Sequence, residues 1–386
     1  MDFAFSEEQL AVSEAAAGIF AGMATPERVA SVERSQSRID DELWRALADG
    51  HLTGLVVPVD QGGSGLGLVE ACLVLEQQGR HVAPVPLWAT TVLGALPLAR
   101  YGSPAQRQAL LPGVADGSVR LTAALNEVAA SPSRRPAATA EAAGGDGFVV
   151  SGRLSAVPQA HVADRVLVPV SLGDEVVVAL VDPSAPGASL VEATTTDRQV
   201  HPHLVLDGVR VAPGDVLAGP GAGPEVVEHM VQLATTGLCA LQLGVTEAAL
   251  RQAAEYCNQR HQFGKPLSSF QGALLRAADA YIDSEAIRVT LWQAAWRLDT
   301  GRPAAQEVAV AKWWASEAGQ RVVHTTQHLH GGLGADTDYP IHRYFLWGKQ
   351  IELMLEGPGA QLSRLGDLVA AELAGAPGPG RPVVQT

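Results

Sequence analysis

Long segments with helical periodicity fill the sequence from about residue 222 onward, and they constrain the fold more than any other feature. The first is EVVEHMVQLATTGLCALQLGVTEAALRQAAEYCNQRHQFG, and the next two are FQGALLRAADAYIDSEAIRVTLWQAAWRL and AAQEVAVAKWWASEAGQRVVHTTQHL. Apolar residues recur three and four positions apart in all of them, so each helix has a face to bury. Long helices with such faces pack together, and we predict a C-terminal four-helix bundle.

Short runs of β-branched residues precede this region. GFVVSGRLSAV, DRVLVPVSL, DEVVVALVD and HLVLDGVRV are separated by Gly, Asp and Pro, which is typical of antiparallel strands. The segment before them is helical in pattern and begins with Ser6 and Gln9, spaced as a capping box. The order predicts an α+β chain. Its parts are an N-terminal helical domain (1–118), a middle antiparallel, barrel-like β domain (119–218), the bundle (219–372) and a flexible tail (373–386).

Charge and composition exclude several classes of protein. The formal net charge of −14 argues against nucleic acid and anionic membranes as partners. No apolar run looks long enough to span a bilayer, and the N-terminal MDFAFSEEQL lacks the features of a signal peptide. Cys72, Cys239 and Cys257 are scattered and odd in number, as expected of reduced thiols. We therefore expect a cytoplasmic protein without membrane contact.

Two stretches of the C-terminal region have the residue types of a ligand site. In RHQFGKPLSSFQ, Arg260 and Gln271 could present a guanidinium and an amide to one ligand, and arginine suits pyrophosphate. The same stretch could instead be a helix corner with a structural ion pair. In QHLHGGLG the glycines allow close approach of the backbone to a ligand. His324 and His328 lie one helical turn apart but lack the acidic residue of a zinc-protease motif, so we predict no metal site.

Two charged positions allow more than one interpretation. Arg134, in LNEVAASPSRRP, is most simply part of a solvated loop. Glu356 follows an apolar run in LMLEGPGAQLSRLG and directly precedes Gly-Pro-Gly. It could be a surface residue at a helix end. It could equally be a catalytic base in an apolar pocket, where loss of water would raise its pKa.

Taken in order, these motifs resemble the acyl-CoA dehydrogenase family over most of the chain. The similarity runs from MDFAFSEEQ through VPVDQGGSGLGLVEACLVLEQQGR and RHQFGKPLSSFQ to HGGLGADTDYPIHRYF and LEGPGAQ. The stretch QHLHGGLGADTDYPIHRYFLW is most similar to actinobacterial members, including those that act on steroid side-chain or other bulky thioesters in mixed α2β2 assemblies. The resemblance implies the three-domain fold with FAD held between the β domain and the bundle.

The resemblance also implies roles for individual residues. Glu356 matches the base that removes the α-proton of an acyl-CoA while the β-hydrogen leaves as hydride to the flavin. Arg260 and Gln271 match residues that reach the FAD of a neighbouring subunit, and Gly331 and Gly332 match backbone that lies along it. The other positions that match cofactor-binding residues are Leu125, Asn126, Ala156, Pro158, Phe263, Phe270 and His328.

The activity implied is FAD-dependent α,β-dehydrogenation of an acyl-CoA to the 2-enoyl-CoA, by an oxidoreductase acting on CH–CH bonds. Electron-transfer flavoprotein is the implied electron acceptor. The implied assembly is a homotetramer, or an α2β2 heterotetramer with a second family member. Small residues on the helix before Arg260, namely Ala234, Thr235 and Gly237, suggest room for a bulky acyl chain.

The flavin-contacting loops depart from the family pattern and leave two other functions open. The family's Thr-Glu-Pro begins here at Asn126 as Asn-Glu-Val, and its Trp-Ile-Thr begins at Ala156 as Ala-Val-Pro. The chain could therefore be a structural subunit that lends Arg260 and Gln271 to a partner's flavin while its own pocket is degraded. It could also be a flavin-free enzyme on the same fold.

Overall fold

The N-terminal part of the chain is helical. The computed structural model of the chain describes residues 4–143 and 147–374. The capping box is confirmed, because the Gln9 N–H donates to Ser6 Oγ and the Ser6 N–H donates to Gln9 Oε1. A π-helical segment, Trp88–Ala95, runs directly into the fifth helix. The helices are α1 (Glu7–Met23), α2 (Pro26–Glu33), α3 (Asp41–Asp49), α4 (Leu68–His81), α5 (Leu96–Tyr101) and α6 (Pro104–Ala115).

The middle part is a single sheet with one short helix. Its strands are β1 (Leu121–Ala123), β2 (Ala138–Ala143), β3 (Gly147–Leu154), β4 (Arg165–Leu172), β5 (Glu175–Val181), β6 (Ala188–Val191), β7 (His203–Val211) and β8 (Val216–Ala218); α7 (Asn126–Ala130) follows β1. The strand order is β6-β7-β3-β2-β4-β5-β8, with β1 beside β4. Most neighbours are antiparallel, as predicted, but β4 pairs in parallel with both β1 and β2.

The C-terminal part is built around one long helix. The elements are α8 (Gly223–Gln259), a small hairpin of β9 (His261–Gln262) and β10 (Lys265–Pro266), α9 (Gln271–Asp299), α10 (Ala305–Leu329), α11 (Ile341–Leu353) and α12 (Pro358–Leu373). Helix α8 packs against α9, α10 and α11. Residues 375–386 of the predicted flexible tail lie outside the described residues.

The two helical parts share one hydrophobic core, although the β domain separates them in sequence. Buried side chains of α1, α3 and α4 belong to the same cluster as those of α8, α10 and α11. The β domain has a second, smaller core of valines, leucines and alanines. The predicted domain boundaries mark changes in secondary structure, whereas the cores group the two helical parts together.

Helix α8 is the described helix that is long and apolar enough to cross a bilayer, by length and composition only. The sequence did not predict an apolar segment of this length, because alanine, glycine and threonine are interspersed among the larger apolar residues. In the structure, 89% of its most apolar window is buried inside the protein. Its apolar character therefore serves the core that α8 shares with α4.

Glycines allow the backbones of α4 and α8 to approach closely. A Cβ atom on Gly244 would lie 1.9 Å from the carbonyl oxygen of Glu76, and one on Gly79 would lie 2.1 Å from that of Leu241. We expect Gly244→Ala to lower the free energy of unfolding by about 3 kcal/mol, since backbone cannot yield as a side chain can. Urea denaturation measures this. Gly18→Ala is the control, because nothing lies within 4 Å of its added Cβ; equal stability of the two variants would contradict the prediction.

Candidate active site

Glu356 lies in the turn between α11 and α12. Leu355 has φ of 51° and Glu356 has φ of 77°, so two consecutive non-glycine residues adopt left-handed backbone. Such residues cost about 1–3 kcal/mol each and persist where the surroundings hold them. The turn directs the side chain of Glu356 into a small pocket that also includes Arg134, Glu228 and Arg364.

Two buried side chains hold this turn. Lys312, on α10, is fully buried and donates hydrogen bonds to the carbonyl oxygens of Ile351 (2.8 Å) and Glu352 (3.1 Å). From the other side, Gln361 Nε2 donates to the carbonyl oxygen of Leu355 (3.2 Å). Burial lowers the pKa of Lys312 to about 8. The end of α11 and the start of the turn are thereby fixed from both sides.

The contribution of Lys312 can be measured directly. Lys312→Met leaves the carbonyl oxygen of Ile351 without its side-chain donor, whereas Ser316 Oγ still donates to that of Glu352. An unsatisfied buried group costs about 1–3 kcal/mol. We expect a loss of about 2 kcal/mol in the free energy of unfolding. Lys349→Met is the matched control, because Lys349 pairs with Glu352 near the surface and we expect its removal to cost less than about 0.5 kcal/mol. The prediction fails if both variants unfold at the same urea concentration.

The carboxyl group of Glu356 is partly shielded from water, and this changes its pKa. Burial raises the pKa of its carboxyl above the ordinary value, and Arg134, Arg364 and Lys312 oppose that rise. The direction agrees with the desolvation expected from the apolar lead-in to Glu356. A carboxylate with a raised pKa is a stronger base than an exposed one.

Arg134 is not in a solvated loop, contrary to the simplest interpretation of the sequence. Its Nε lies 3.0 Å from Glu228 Oε2, and its Nη1 donates to the carbonyl oxygens of Val128 and Ala129 at the end of α7. Arg364, on α12, binds the other oxygen of Glu228 at 2.5 Å. Burial pulls the pKa of Glu228 upward, but the two guanidinium groups hold it below the ordinary value. The burial of Arg134 follows from this shared partner, which lies far away in sequence.

Little free volume remains beside Glu356. The cavity bounded by Glu356 and the Arg134–Glu228–Arg364 cluster is about 10 Å³, room for one water molecule at most. A second cavity, of about 20 Å³, lies in the seam between the β domain and the helices, next to Met354. The room suggested by Ala234 and Gly237 is filled by Trp88, whose Nε1 donates to the Ala234 carbonyl oxygen (3.1 Å).

The predicted cofactor residues of the β domain lie together near this seam. The side-chain amide of Asn126 donates to the carbonyl oxygens of Ser155 (3.0 Å) and Ala156 (3.1 Å), so α7 is tied to the turn after β3. Ala156 has φ of 48°. Leu125 and Pro158 are buried on either side of this contact.

The predicted cofactor residues of the C-terminal part lie at the opposite end of α8. Arg260 follows the last residue of that helix, and Phe263 in the β9–β10 turn is 91% exposed. The 32 positions from Glu228 to Arg260 span about 48 Å of straight helix. Arg260 therefore cannot contact a ligand beside Glu356 of the same chain. The residues at this far end are Arg260, Phe263, Phe270, Gln271, His328, Gly331 and Gly332.

Metal ligands do not gather in residues 4–143 and 147–374, where no three His, Cys, Asp or Glu side chains come together to hold an ion. His324 packs edge-on against Phe345, with ring centroids 4.8 Å apart. His330 stacks on Tyr256 instead, which attaches the glycine run to the end of α8.

Comparison with known proteins identifies the family. Sequence profiles of the acyl-CoA dehydrogenase N-terminal and C-terminal domains match residues 6–118 and 221–360. Acyl-CoA dehydrogenase FadE27 of Mycobacterium tuberculosis is 38% identical over 376 residues, which cover 95% of this chain and 98% of FadE27. The chain belongs to the acyl-CoA dehydrogenase family. Acyl-CoA dehydrogenases are flavoprotein oxidoreductases acting on CH–CH bonds, so the predicted family, enzyme class and cofactor are confirmed at that level.

Solved acyl-CoA dehydrogenase structures are similar over nearly the whole chain. The Tcur3481–Tcur3483 steroid ACAD is 46% identical with a TM-score of 0.89, and the match covers 95% of this chain and 99% of that one. The ChsE4–ChsE5 complex from Mycobacterium tuberculosis is 38% identical with a TM-score of 0.90, covering 98% and 100% of the two chains. The predicted acyl-CoA dehydrogenase fold is confirmed.

Unused polar atoms show where this acyl-CoA dehydrogenase chain fits FAD, the cofactor of the family. Gln159 Oε1 and His201 Nε2 are buried at the seam without a hydrogen-bond partner, in the part of the chain that the structure describes. At the far end, the guanidinium of Arg260 and the amide of Gln271 make no hydrogen bond to any described residue. Because α8 separates these two sets, one cofactor molecule cannot contact both sets of the same chain.

Proposed function

We propose that this chain is a subunit of an FAD-dependent acyl-CoA dehydrogenase that converts an acyl-CoA thioester to the 2-enoyl-CoA, with Glu356 as the base. The observation that supports the base assignment is the turn itself. Its two left-handed residues, held by Lys312 and Gln361, aim a half-buried carboxylate with a raised pKa into the pocket. Strained backbone of this kind clusters at active sites.

Glu356 would accept the α-proton of the thioester. That proton is only weakly acidic, so the base needs the raised pKa that burial provides. Lys312 and Gln361 would hold the carboxylate in place, and the apolar residues before it would exclude water. Entry of substrate requires Arg134 to leave its present position, because the free space beside Glu356 is about 10 Å³.

When bound, FAD supplies the acceptor for the β-hydrogen, which leaves as hydride. We propose that Leu125, Asn126, Ala156, Pro158 and the unpaired groups of Gln159 and His201 line the cofactor site at the seam. The far-end set of Arg260, Phe263, Phe270, Gln271, His328, Gly331 and Gly332 would contact the cofactor of a neighbouring subunit.

The assembly proposed is α2β2 with a second family member, or a homotetramer. Helix α9 supports association, because it exposes a row of apolar side chains between 54% and 63% accessible: Leu274, Leu275, Tyr281, Ile282 and Val289. Relatives named as two-protein assemblies, ChsE4–ChsE5 and Tcur3481–Tcur3483, favour the mixed form. We further propose electron-transfer flavoprotein as the electron acceptor and the cytoplasm as the location.

The substrate class proposed is a steroid side-chain or other bulky acyl-CoA. Its support is the 46% identity to the steroid ACAD. Within this chain Trp88 occupies the space beside Ala234 and Gly237, so a bulky acyl group would have to displace that ring or lie in a partner subunit.

A second candidate function is favoured by the filled pocket. In it, the chain completes a partner's cofactor site through Arg260 and Gln271, and Glu356 performs no chemistry. The cavities of about 10 and 20 Å³ beside Glu356 and at the seam have no room for a flavin ring as they stand.

Flavin content distinguishes the two candidates. The chain is purified alone and after co-expression with its partner, and its visible absorption is recorded before and after anaerobic addition of acyl-CoA. One flavin per chain of either type, bleaching fully with substrate, supports the proposed function. One flavin per pair of unlike chains, with none on this chain alone, assigns the second candidate.

A further inference from the structure

A larger cavity lies at the opposite end of α11 from Glu356. Its volume is about 420 Å³, within the range of small-molecule sites. The walls come from α1, α2, the end of α4, the middle of α8 and the first turn of α11. About thirteen residues of chain separate Arg343, in its wall, from Glu356, so α11 holds the two sites about 15 Å or more apart. We call this space the distal cavity.

Most of the charge lining the distal cavity is already balanced. Arg80 forms ion pairs with Glu76 and Glu247. Arg343 is nearly buried, and its Nε lies 3.1 Å from Glu33 Oε1. Arg80 and Arg343 therefore have carboxylate partners of their own, although Glu247 also pairs with Arg288 and Glu33 also pairs with Arg198.

One positive charge in the wall has no counter-ion. Arg251, an exposed residue of α8, makes no ion pair with any carboxylate of the described residues. His81 adds no second charge, because burial and the neighbouring arginines lower its pKa. Arg251 is thus the one arginine in the described wall without an ion pair, in a chain whose overall charge is −14.

Hydrogen-bond donors in the same wall are also unused. Gln77 is 8% exposed, and its amide makes no hydrogen bond to any described residue. Arg80 Nε is buried without an acceptor. The Gln77 amide lines the cavity and is not fully enclosed, so it can donate to a ligand there, whereas the enclosed Arg80 Nε cannot.

Apart from Gln252 and Tyr344, the remaining wall is apolar. Ala17 and Ala21 of α1, Val29 of α2 and Ala248 of α8 face the space. Their small side chains create the volume, and no polar group on α1 faces it. A ligand here would set an anionic head against Arg251 and Gln77 and an apolar body against α1.

We propose that the distal cavity binds a monocarboxylate with an apolar body, held by Arg251 and Gln77. A single unbalanced guanidinium matches the single charge of a carboxylate. A phosphate monoester carries nearly two charges at neutral pH and would keep one of them unpaired. Neither Glu356 nor any predicted cofactor residue lines the distal cavity.

Calorimetric titration of the full-length chain with octanoate, octanol and octyl phosphate tests the proposal. We expect saturable octanoate binding at one site per chain, and binding of the other two at least about tenfold weaker. Equal affinity for octanol and octanoate, tighter binding of octyl phosphate, or no saturable binding of octanoate would overturn the assignment.

Two variants locate the site. Arg251→Gln should weaken octanoate at least about tenfold and leave octanol unchanged, whereas Arg45→Gln, at an exposed arginine on α3, should change neither. Ala17→Leu fills the cavity from the surface helix α1 and should weaken both ligands. Circular dichroism confirms that each variant is folded. Unchanged octanoate affinity in folded Arg251→Gln or Ala17→Leu would place the binding elsewhere.

Discussion

Glu356→Gln is expected to reduce the turnover number of the assembled enzyme by about 10²–10⁴-fold, the usual contribution of a general base. The amide has nearly the same size and shape as the carboxylate but cannot act as the base that accepts the proton. Flavin content should stay at the wild-type value, because no described residue donates a hydrogen bond to the Glu356 carboxylate. Single-turnover bleaching of the flavin absorbance by acyl-CoA measures the step without interference from reoxidation.

The matched control is Glu352→Gln, four positions earlier on α11. Its carboxylate pairs with Lys349, outside the pocket that contains Glu356, so the bleaching rate should remain within about twofold of wild type. In the wild type, the rate should rise with pH through a pKa above the ordinary value for glutamate, since only the ionised form is a base. A bleaching rate in Glu356→Gln equal to the wild-type rate would remove Glu356 from the mechanism and favour the second candidate function.

Glu228→Gln is expected to lower the free energy of unfolding by about 3 kcal/mol. The substitution leaves Arg134 and Arg364 facing a neutral amide in a mostly buried position, and an uncompensated buried charge costs about 3–5 kcal/mol. Because Arg364 is partly exposed, we expect the loss of unfolding free energy to lie at the lower end of that range. Urea denaturation at neutral pH measures the loss.

The same cluster predicts a dependence on pH. The folded-state pKa of Glu228 lies below its ordinary value, so its contribution is present above the unfolded-state pKa and is lost as pH falls through the folded-state pKa. Glu225→Gln, one turn earlier on the exposed side of α8, is the control and should change stability by less than about 0.5 kcal/mol. Equal stability of the Glu228 and Glu225 variants would show that Glu228 does not compensate the charges of Arg134 and Arg364.

The secondary structure could be predicted because its signals are local. Helical spacing of apolar residues, the Ser6–Gln9 capping box and the β-branched runs each act within a few positions, and each appears in the structure. The parallel pairing of β4 with β1 and β2 could not be foreseen, since strand neighbours are chosen by packing across the sheet.

The site could be predicted only in part, because most of its residues come together from distant parts of the sequence. The apolar lead-in drew attention to Glu356, but its role as a base is implied by the family resemblance. Its neighbours Glu228 and Arg364 come from α8 and α12 and carry no local signal. Arg134 read as solvated because its partner lies 94 positions away in sequence. The sequence does contain a signal for Lys312, because this residue follows Val308 by four positions and so lies on the face of α10 that should be apolar. A charged residue at such a position indicates a buried role.

The core shared by the two helical parts has a consequence during synthesis on the ribosome. Helix α4 must pack against α8, yet 107 positions lie between the end of α6 and the start of α8. At about 5–20 residues per second, the apolar faces of the first six helices stay without their partner for at least roughly 5–20 s after they emerge. The β domain, which has its own core, can fold within that interval. The nascent N-terminal helices are therefore a substrate for chaperones until α8 is complete.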